Sequence, residues 1–490
     1  MNQHKRKLIT FSQLMCAVAI ASALTACGSS HKHKSNKPMP LISGYLYTTT
    51  NGNGDENGNG MNKVMRLTRY ADGTVGNEVV YDTKAKGAAD VSTGGDAHGD
   101  FDSQGAIQII GDYLLNVDAG SDHYISLFKI NKSNGDLTWL ENIDSGGERP
   151  VSITYTKKPN SDDQYWVVVG NQWNNPNVQK DGTDIKRYPS NDFFIDSNGD
   201  KVDLTASDRS DTHRNISLFN FDSSNGNLWA ADRPTLATYD RANGGPTTVT
   251  FSADGTKLAV STWGIAHFNT NNPSTDEQHP SRVYVYDFDK SKGNINSQLP
   301  DYFEKSGIAG TIGINWALNS NTTLHASNFN LTNELIGHGL TVLNDDGDQQ
   351  GGHTGVSLTA HYNTGAENSR DEACWTVLSP DGKRLYVSSF GANVITPFTL
   401  NANGTVAKTL SYASRSEGTP AGDTKDMYIT PDNKYLYVLG AFQTFTLNRF
   451  NIKGDGTLSY IDQHVYKETK DDVGKAGAHN FLGLAGFSVG

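Results

Sequence analysis

Leu378-Ser-Pro-Asp-Gly-Lys-Arg-Leu-Tyr-Val387, followed by Val394-Ile-Thr-Pro-Phe398 and Asn403-Gly404-Thr405-Val406, contains the pattern that the rest of the chain repeats. Apolar residues alternate along its runs, and Asp-Gly or Asn-Gly sits between them. Period-two alternation marks half-buried strands, and glycine after Asp or Asn supplies the positive φ of a tight hairpin turn. The first half returns at Phe251-Ser-Ala-Asp-Gly-Thr-Lys-Leu-Ala-Val260 and Ile429-Thr-Pro-Asp-Asn-Lys-Tyr-Leu-Tyr-Val438. The second half returns as Met65–Tyr70 before Asp72-Gly73, Ile125–Ile130 before Asn134-Gly135, and Ile216–Phe221 before Asn225-Gly226. It returns again as Val283–Phe288 before Lys292-Gly293 and Phe445–Phe450 before Asp455-Gly456.

Two hairpins make a four-stranded antiparallel unit, and units recurring every roughly 50 to 90 residues predict propeller blades rather than a sandwich. Copies end near Val75, Leu137, Leu228, Ile295, Val406 and Leu458. A degenerate copy, from His325-Ala-Ser-Asn-Phe329 through Gly339–Leu343 to Asp346-Gly347, makes seven. The tail Phe481-Leu-Gly-Leu-Ala-Gly-Phe487 is expected to return to the first blade and close the ring, removing an exposed sheet edge. The predicted fold is all-β: a seven-bladed β-propeller over residues 41–490, with no helix beyond a turn or two after the leader.

Composition agrees. Of 490 residues only 36% are hydrophobic and 19% charged, while 50 are glycine and 21 tyrosine. Such polarity, carried by turn-forming residues, suits many short strands rather than a disordered chain. The net charge of −12 and the lack of a basic run argue against nucleic acid as a partner.

The N-terminus carries an address. Lys5, Arg6 and Lys7 precede an uncharged, mostly apolar Leu8–Leu24, too short to span a bilayer comfortably. It ends Leu24-Thr25-Ala26-Cys27-Gly28, which resembles a bacterial lipobox. The resemblance implies a signal peptide over 1–26, lipidation of Cys27 with an acyl chain such as palmitate, and a flexible tether over 27–40. It also implies an outer-membrane lipoprotein, since Gly28 stands where an aspartate would signal inner-membrane retention. Cleavage would leave 38 basic and 53 acidic residues, a net −15. Cys374 is then the one free thiol, so no internal disulfide can form.

Other segments carry a family likeness. Ser103-Gln-Gly-Ala-Ile107, Asn116–Ser121, Gly146-Gly-Glu-Arg-Pro150, Ala373-Cys-Trp375 and Ser388-Ser-Phe-Gly391 resemble the lactonase-like seven-bladed propellers. That group includes 6-phosphogluconolactonases and 3-carboxymuconate cyclases. The resemblance implies a metal-independent lactone hydrolase or cycloisomerase whose arginines, acids and histidine meet at the channel mouth. Val151 departs from the histidine that the phosphogluconolactonases tend to have after Pro150.

Candidate site residues are therefore the polar groups just ahead of the innermost strands. Arg149, Arg370, Glu372 and His98 are the catalytic candidates, with Gln104, Glu148 and Lys425 binding substrate. Arginines would hold a carboxylate bidentately while a carboxylate or His98 moves the proton. The same charges could instead form salt bridges that lock neighbouring blades. Cys374 beside Trp375 reads as a core pair rather than a nucleophile.

Residues 172–213 are an insertion in the third blade. Within it Asp196, Asn198, Asp200 and Asp203 place oxygens at alternate positions, which fits either a structural calcium or an Asx-rich hairpin turn. Lys201 occupies the place of the expected glycine. No cofactor is required. The expected partners are the membrane, through the N-terminal lipid, and a small carboxylate or lactone. The rival reading is a monomeric, non-catalytic propeller that binds an envelope protein or glycan.

Overall fold

The alternating runs become seven antiparallel sheets arranged as a β-propeller. The computed structural model describes residues 40–489, except 53–60, 88–102, 121, 173–177, 180–192, 196–200, 204–213, 240–243, 264–265, 268–280, 296–299, 306–307, 309, 329–338, 347–354, 367–370, 416–421 and 468–478. Leader, tether and Cys27 lie outside those residues. Leu41–Gly490 forms one unit.

Counted from the axis outward, blade two is Ile107–Ile110, Tyr113–Asp118, Tyr124–Ile130 and Leu137–Asp144. Blade three is Pro150–Lys157, Gln164–Asn171, Asn215–Asp222 and Asn227–Thr238. Blade four is Pro246–Phe251, Lys257–Thr262 and Arg282–Asp289, with its outer position shared by Asn294–Ile295 and Asp301–Glu304. Blade five is Ile314–Trp316, Thr323–Asn328, Gly339–Asp345 and Val356–Tyr362. Blade six is Ala373–Leu378, Arg384–Ser389 and Val394–Leu400, flanked by Val406–Thr409 and Ala413–Ser414. Blade seven is Thr424–Ile429, Tyr435–Gly440, Thr446–Ile452 and Leu458–Val465. Blade one joins the two ends of the unit. His479–Ser488 pairs antiparallel with Ile42–Gly52, which continues into Met61–Tyr70 and Val75–Lys86.

Among the described residues there are seven hydrophobic clusters, one in each interface between neighbouring blades. Sheets buried on both faces explain why the middle strands read as near-continuous apolar runs such as Val167–Val169. The turn glycines add a second seam. Gly135 has φ 74°, and a Cβ there would lie 2.4 Å from the Tyr45 ring of the preceding blade. Alongside it, the Tyr47 hydroxyl donates to the Gly135 carbonyl at 2.7 Å. The same lock recurs as Tyr437 to Gly73, 2.6 Å, and Tyr386 to Gly456, 3.3 Å. In blade five His325 Nε2 donates to the Gly404 carbonyl at 2.7 Å, with burial holding the ring neutral.

An up-and-down blade places its first and third connections on one face of the ring. The second connection, and the crossing to the next blade, fall on the other. The Asx-Gly turns belong to the first set. The long connections 53–60, 87–106, 172–214, 263–281, 329–338 and 466–478 all belong to the second, and 346–355 is the exception. The excursion in blade four was not apparent from the sequence. Its Ala266–His267 pairs in parallel with Val178–Gln179 of the blade-three insertion. Phe193–Ile195 pairs antiparallel with Lys201–Asp203. Asp196, Asn198 and Asp200 lie outside the described residues, and Asp203 is described only as the end of its strand.

Candidate functional site

One position repeats at the axial end of the long-loop face. In five blades the residue directly before the innermost strand offers its carbonyl to an N–H at the end of the second strand or just past it. These pairs are Val117 to Ala106 at 3.0 Å, Gln172 to Arg149 at 3.0 Å, Ser327 to Gly313 at 2.9 Å, Phe390 to Glu372 at 2.8 Å and Ala441 to Asp423 at 2.8 Å. The position is small in blades two and five and charged in blades three, six and seven. Arg149 and Glu372 both hold a left-handed backbone there, at φ 57° and 55°. Each such residue costs about 1–2 kcal/mol relative to glycine, and strain of this kind concentrates at functional sites.

Arg149 has a neighbour that sequence reasoning missed. His123, at the second connection of blade two and itself at φ 52°, accepts the Arg149 N–H through Nδ1 at 3.1 Å. Burial lowers its pKa, with Glu148 opposing the shift and Arg149 reinforcing it. The ring is therefore neutral, and with Nδ1 engaged its remaining proton is on Nε2, available as a donor. No sequence periodicity marks His123, because its role depends on a contact across two blades.

Blades six and seven supply the other charges. Asp371 and Glu372 are both buried, and Thr364 donates its hydroxyl to Asp371 Oδ2. Asp423 forms a fully buried ion pair with Arg415, Nη1 to Oδ2 at 2.8 Å. Its Oδ1 also accepts the Phe442 and Gln443 N–H groups at 2.8 and 2.7 Å. Burial pulls the Asp423 pKa upward, but the Arg415 charge and the hydrogen bonds outweigh it and leave the group below its ordinary range. Lys425 is fully buried, with Nζ 5.3 Å from the Trp375 ring centroid and 4.8 Å from that of Phe442. Asp426 accepts the Leu484 N–H at 2.9 Å, fastening blade seven to the closing strand, and burial raises its pKa to about 6.

A segment of chain crosses the channel beneath. Ser103–Gly105 leads into blade two, yet its partners sit on blades three, four and six. The Trp375 indole N–H donates to the Ser103 carbonyl at 2.6 Å, and Thr376 N–H donates to Gln104 Oε1 at 2.8 Å. Gln104 N–H reaches the Thr247 carbonyl at 3.2 Å, and Ser152 Oγ donates to the Gln104 carbonyl at 2.6 Å. Blades two and six are not neighbours, so the segment crosses the axis. A Cβ on Gly313 of blade five would already lie 2.5 Å from Gln104 Oε1.

The sequence candidates thus fall into three groups. Glu148, Arg149 and Glu372 lie at the axial rim of the long-loop face, and Lys425 lies buried just inside it. Gln104 lies across the axis, with its side-chain carbonyl engaged by Thr376. His98 and Arg370 fall outside the described residues. Cys374 is buried at 1% exposure beside Trp375 in the core between blades six and seven. Among the described residues, no group of three His, Cys, Asp or Glu side chains is placed to hold a metal ion.

No protein-family model matches the chain, and neither does any curated protein. Solved structures do. A candidate 6-phosphogluconolactonase of Bacteroides fragilis aligns at TM-score 0.54 and 15% identity, covering 91% of this chain and 98% of its own. The periplasmic gluconolactonase of Pseudomonas aeruginosa aligns at 0.53 and 14%, covering 89% and 99%. A candidate 6-phosphogluconolactonase of Bacteroides uniformis gives 0.51 and 15%, covering 90% and 100%. At such identities the likeness is one of fold, and what this chain shares with these lactonase-like proteins is the seven-bladed propeller.

Proposed function

We propose that this protein is an envelope-located lactone hydrolase or cycloisomerase acting on a small carboxylated substrate at the axial rim of the long-loop face. The observation that carries this reading is the matched strain at Arg149 and Glu372, two opposite charges held at one register in blades three and six. Arg149 would grip the substrate carboxylate, with Lys425 adding positive potential from beneath. Glu372 or Glu148 would take a proton from the attacking water, whose oxygen adds to the lactone carbonyl while the ring C–O bond breaks and its oxygen takes up a proton. His123 Nε2–H would stabilise the developing oxyanion. The Ser103–Gln104 crossing would give the rim a floor on which substrate rests. The periplasmic gluconolactonase of the same fold supports an envelope location, and lipidated Cys27 would provide the outer-membrane anchor.

The test is turnover of a panel of sugar lactones and muconates by the purified protein, with Arg149→Ala and Glu372→Gln beside it. Turnover lost in both variants supports the reading, and turnover that survives both sinks the assignment of this site. A second reading, a binding propeller for an envelope protein or glycan, is favoured by the Ser103–Gln104 crossing, which places chain across the axis. It predicts a blank panel from folded protein.

A further inference from the structure

We propose that the groove between the outer strands of blades three and four is a saccharide-binding site, separate from the axial rim. Two irregularities open it. In blade three the pairing jumps from Ser217↔Thr235 to Phe219↔Ala230, so Ala231–Pro234 bulges out of the ladder. In blade four the outer position is split between Asn294–Ile295 and Asp301–Glu304. Between them lies a groove of about 1030 Å³, lined among others by Trp166, Tyr284, Trp229, Asp232, Arg233 and Asn294.

The chemistry of this lining selects the ligand. The buried Trp166 is already engaged, its indole N–H bonded to the Lys290 carbonyl at 2.7 Å and Lys158 Nζ 3.8 Å from its ring centroid, so the stacking surface falls to Trp229. Trp229 is 39% exposed on an outer strand, an aromatic plate beside a carboxylate, a guanidinium and an amide. A pyranose ring has an apolar C–H face and a rim of hydroxyls, and this pairing of stacking surface with donors and acceptors matches it. An extended peptide would instead need an unbroken strand edge to pair with, which the Ala231–Pro234 bulge removes. The groove is large enough for a short oligosaccharide rather than a single sugar.

The experiment is titration of the full chain with cellotriose, chitotriose, xylotriose and maltotriose, followed by tryptophan fluorescence and calorimetry. Saturable binding of at least one probe is expected. Trp229→Ala should weaken it by roughly tenfold or more, because one stacking platform is lost. Asp232→Asn, a near-isosteric change on an exposed residue, provides a second variant should Trp229→Ala perturb folding. Arg149→Ala should leave saccharide binding unchanged, which separates this site from the rim. The proposal is overturned if no probe saturates at concentrations up to about 10 mM, or if binding survives both groove variants. Capture of an extended peptide in a Trp229-dependent manner, without any saccharide, would overturn it in favour of a peptide groove.

Discussion

The Trp375 indole N–H donates to the Ser103 carbonyl at 2.6 Å, joining blade six to the segment that opens blade two across the axis of the ring. Both partners are buried, and Cys374–Trp375 belongs to the core between blades six and seven. The bond therefore holds the crossing segment in place beneath the axial rim. Trp375→Phe should leave the Ser103 carbonyl buried without its donor, destabilising the protein by at least about 1–3 kcal/mol in urea denaturation. An unchanged denaturation midpoint would show that the crossing segment does not depend on this bond.

The turn locks predict a graded pair of effects. Tyr47→Phe removes one hydroxyl bond to the Gly135 carbonyl and should cost about 1 kcal/mol. Gly135→Ala should cost more, because the added Cβ meets the Tyr45 ring at 2.4 Å in a left-handed backbone. Equal thermal shifts for the two variants would contradict the steric half of the argument.

Arg415 and Asp423 are each fully buried, so neither can be removed alone without stranding the other. Arg415→Met should destabilise by about 3–5 kcal/mol. Because the folded state holds the Asp423 pKa below its unfolded value, the pair's contribution is present above the ordinary carboxylate range. It is lost as pH falls through the folded pKa. The native protein should therefore lose more stability on acidification than Arg415→Met does, measured by melting at neutral pH and near about pH 3.

Asp118 has the opposite sign. It lies fully buried between Asn62 Nδ2 at 2.9 Å and the Ser126 hydroxyl, and burial raises its pKa to about 7. The folded state thus binds a proton that the unfolded state releases near about pH 4, and stability falls as pH rises between these values. Asp118→Asn keeps the shape without the charge. Its melting temperature should fall less than that of the native protein between about pH 5 and pH 8. Parallel profiles would contradict the assignment.

The blades were legible because each repeats a local code. Asp72-Gly73 and its counterparts put a left-handed glycine shortly after alternating apolar residues, while in the degenerate fifth blade the corresponding Gly347 lies outside the described residues. The site was legible only as a position. Arg149 and Glu372 could be picked out as polar residues ahead of inner strands, but no local pattern reveals the left-handed backbone that these two share and that Ala106, Gly313 and Asp423 at the same position lack. Gln104 looked like a binding residue because it precedes an inner strand, and only tertiary contacts show that it reaches Thr376 on blade six. His123 and the Ala231–Pro234 bulge were invisible for the same reason: each takes its meaning from a neighbouring blade.

The most direct test of the central claim, that Arg149 and Glu372 are strained for function, is to replace each by glycine and measure stability and lactone turnover together. Glycine relieves the left-handed backbone, so each variant should be about as stable as the native protein or more stable by up to about 1 kcal/mol, while turnover disappears. A variant that is destabilised by several kcal/mol, or that turns over substrate as the native protein does, would contradict the account.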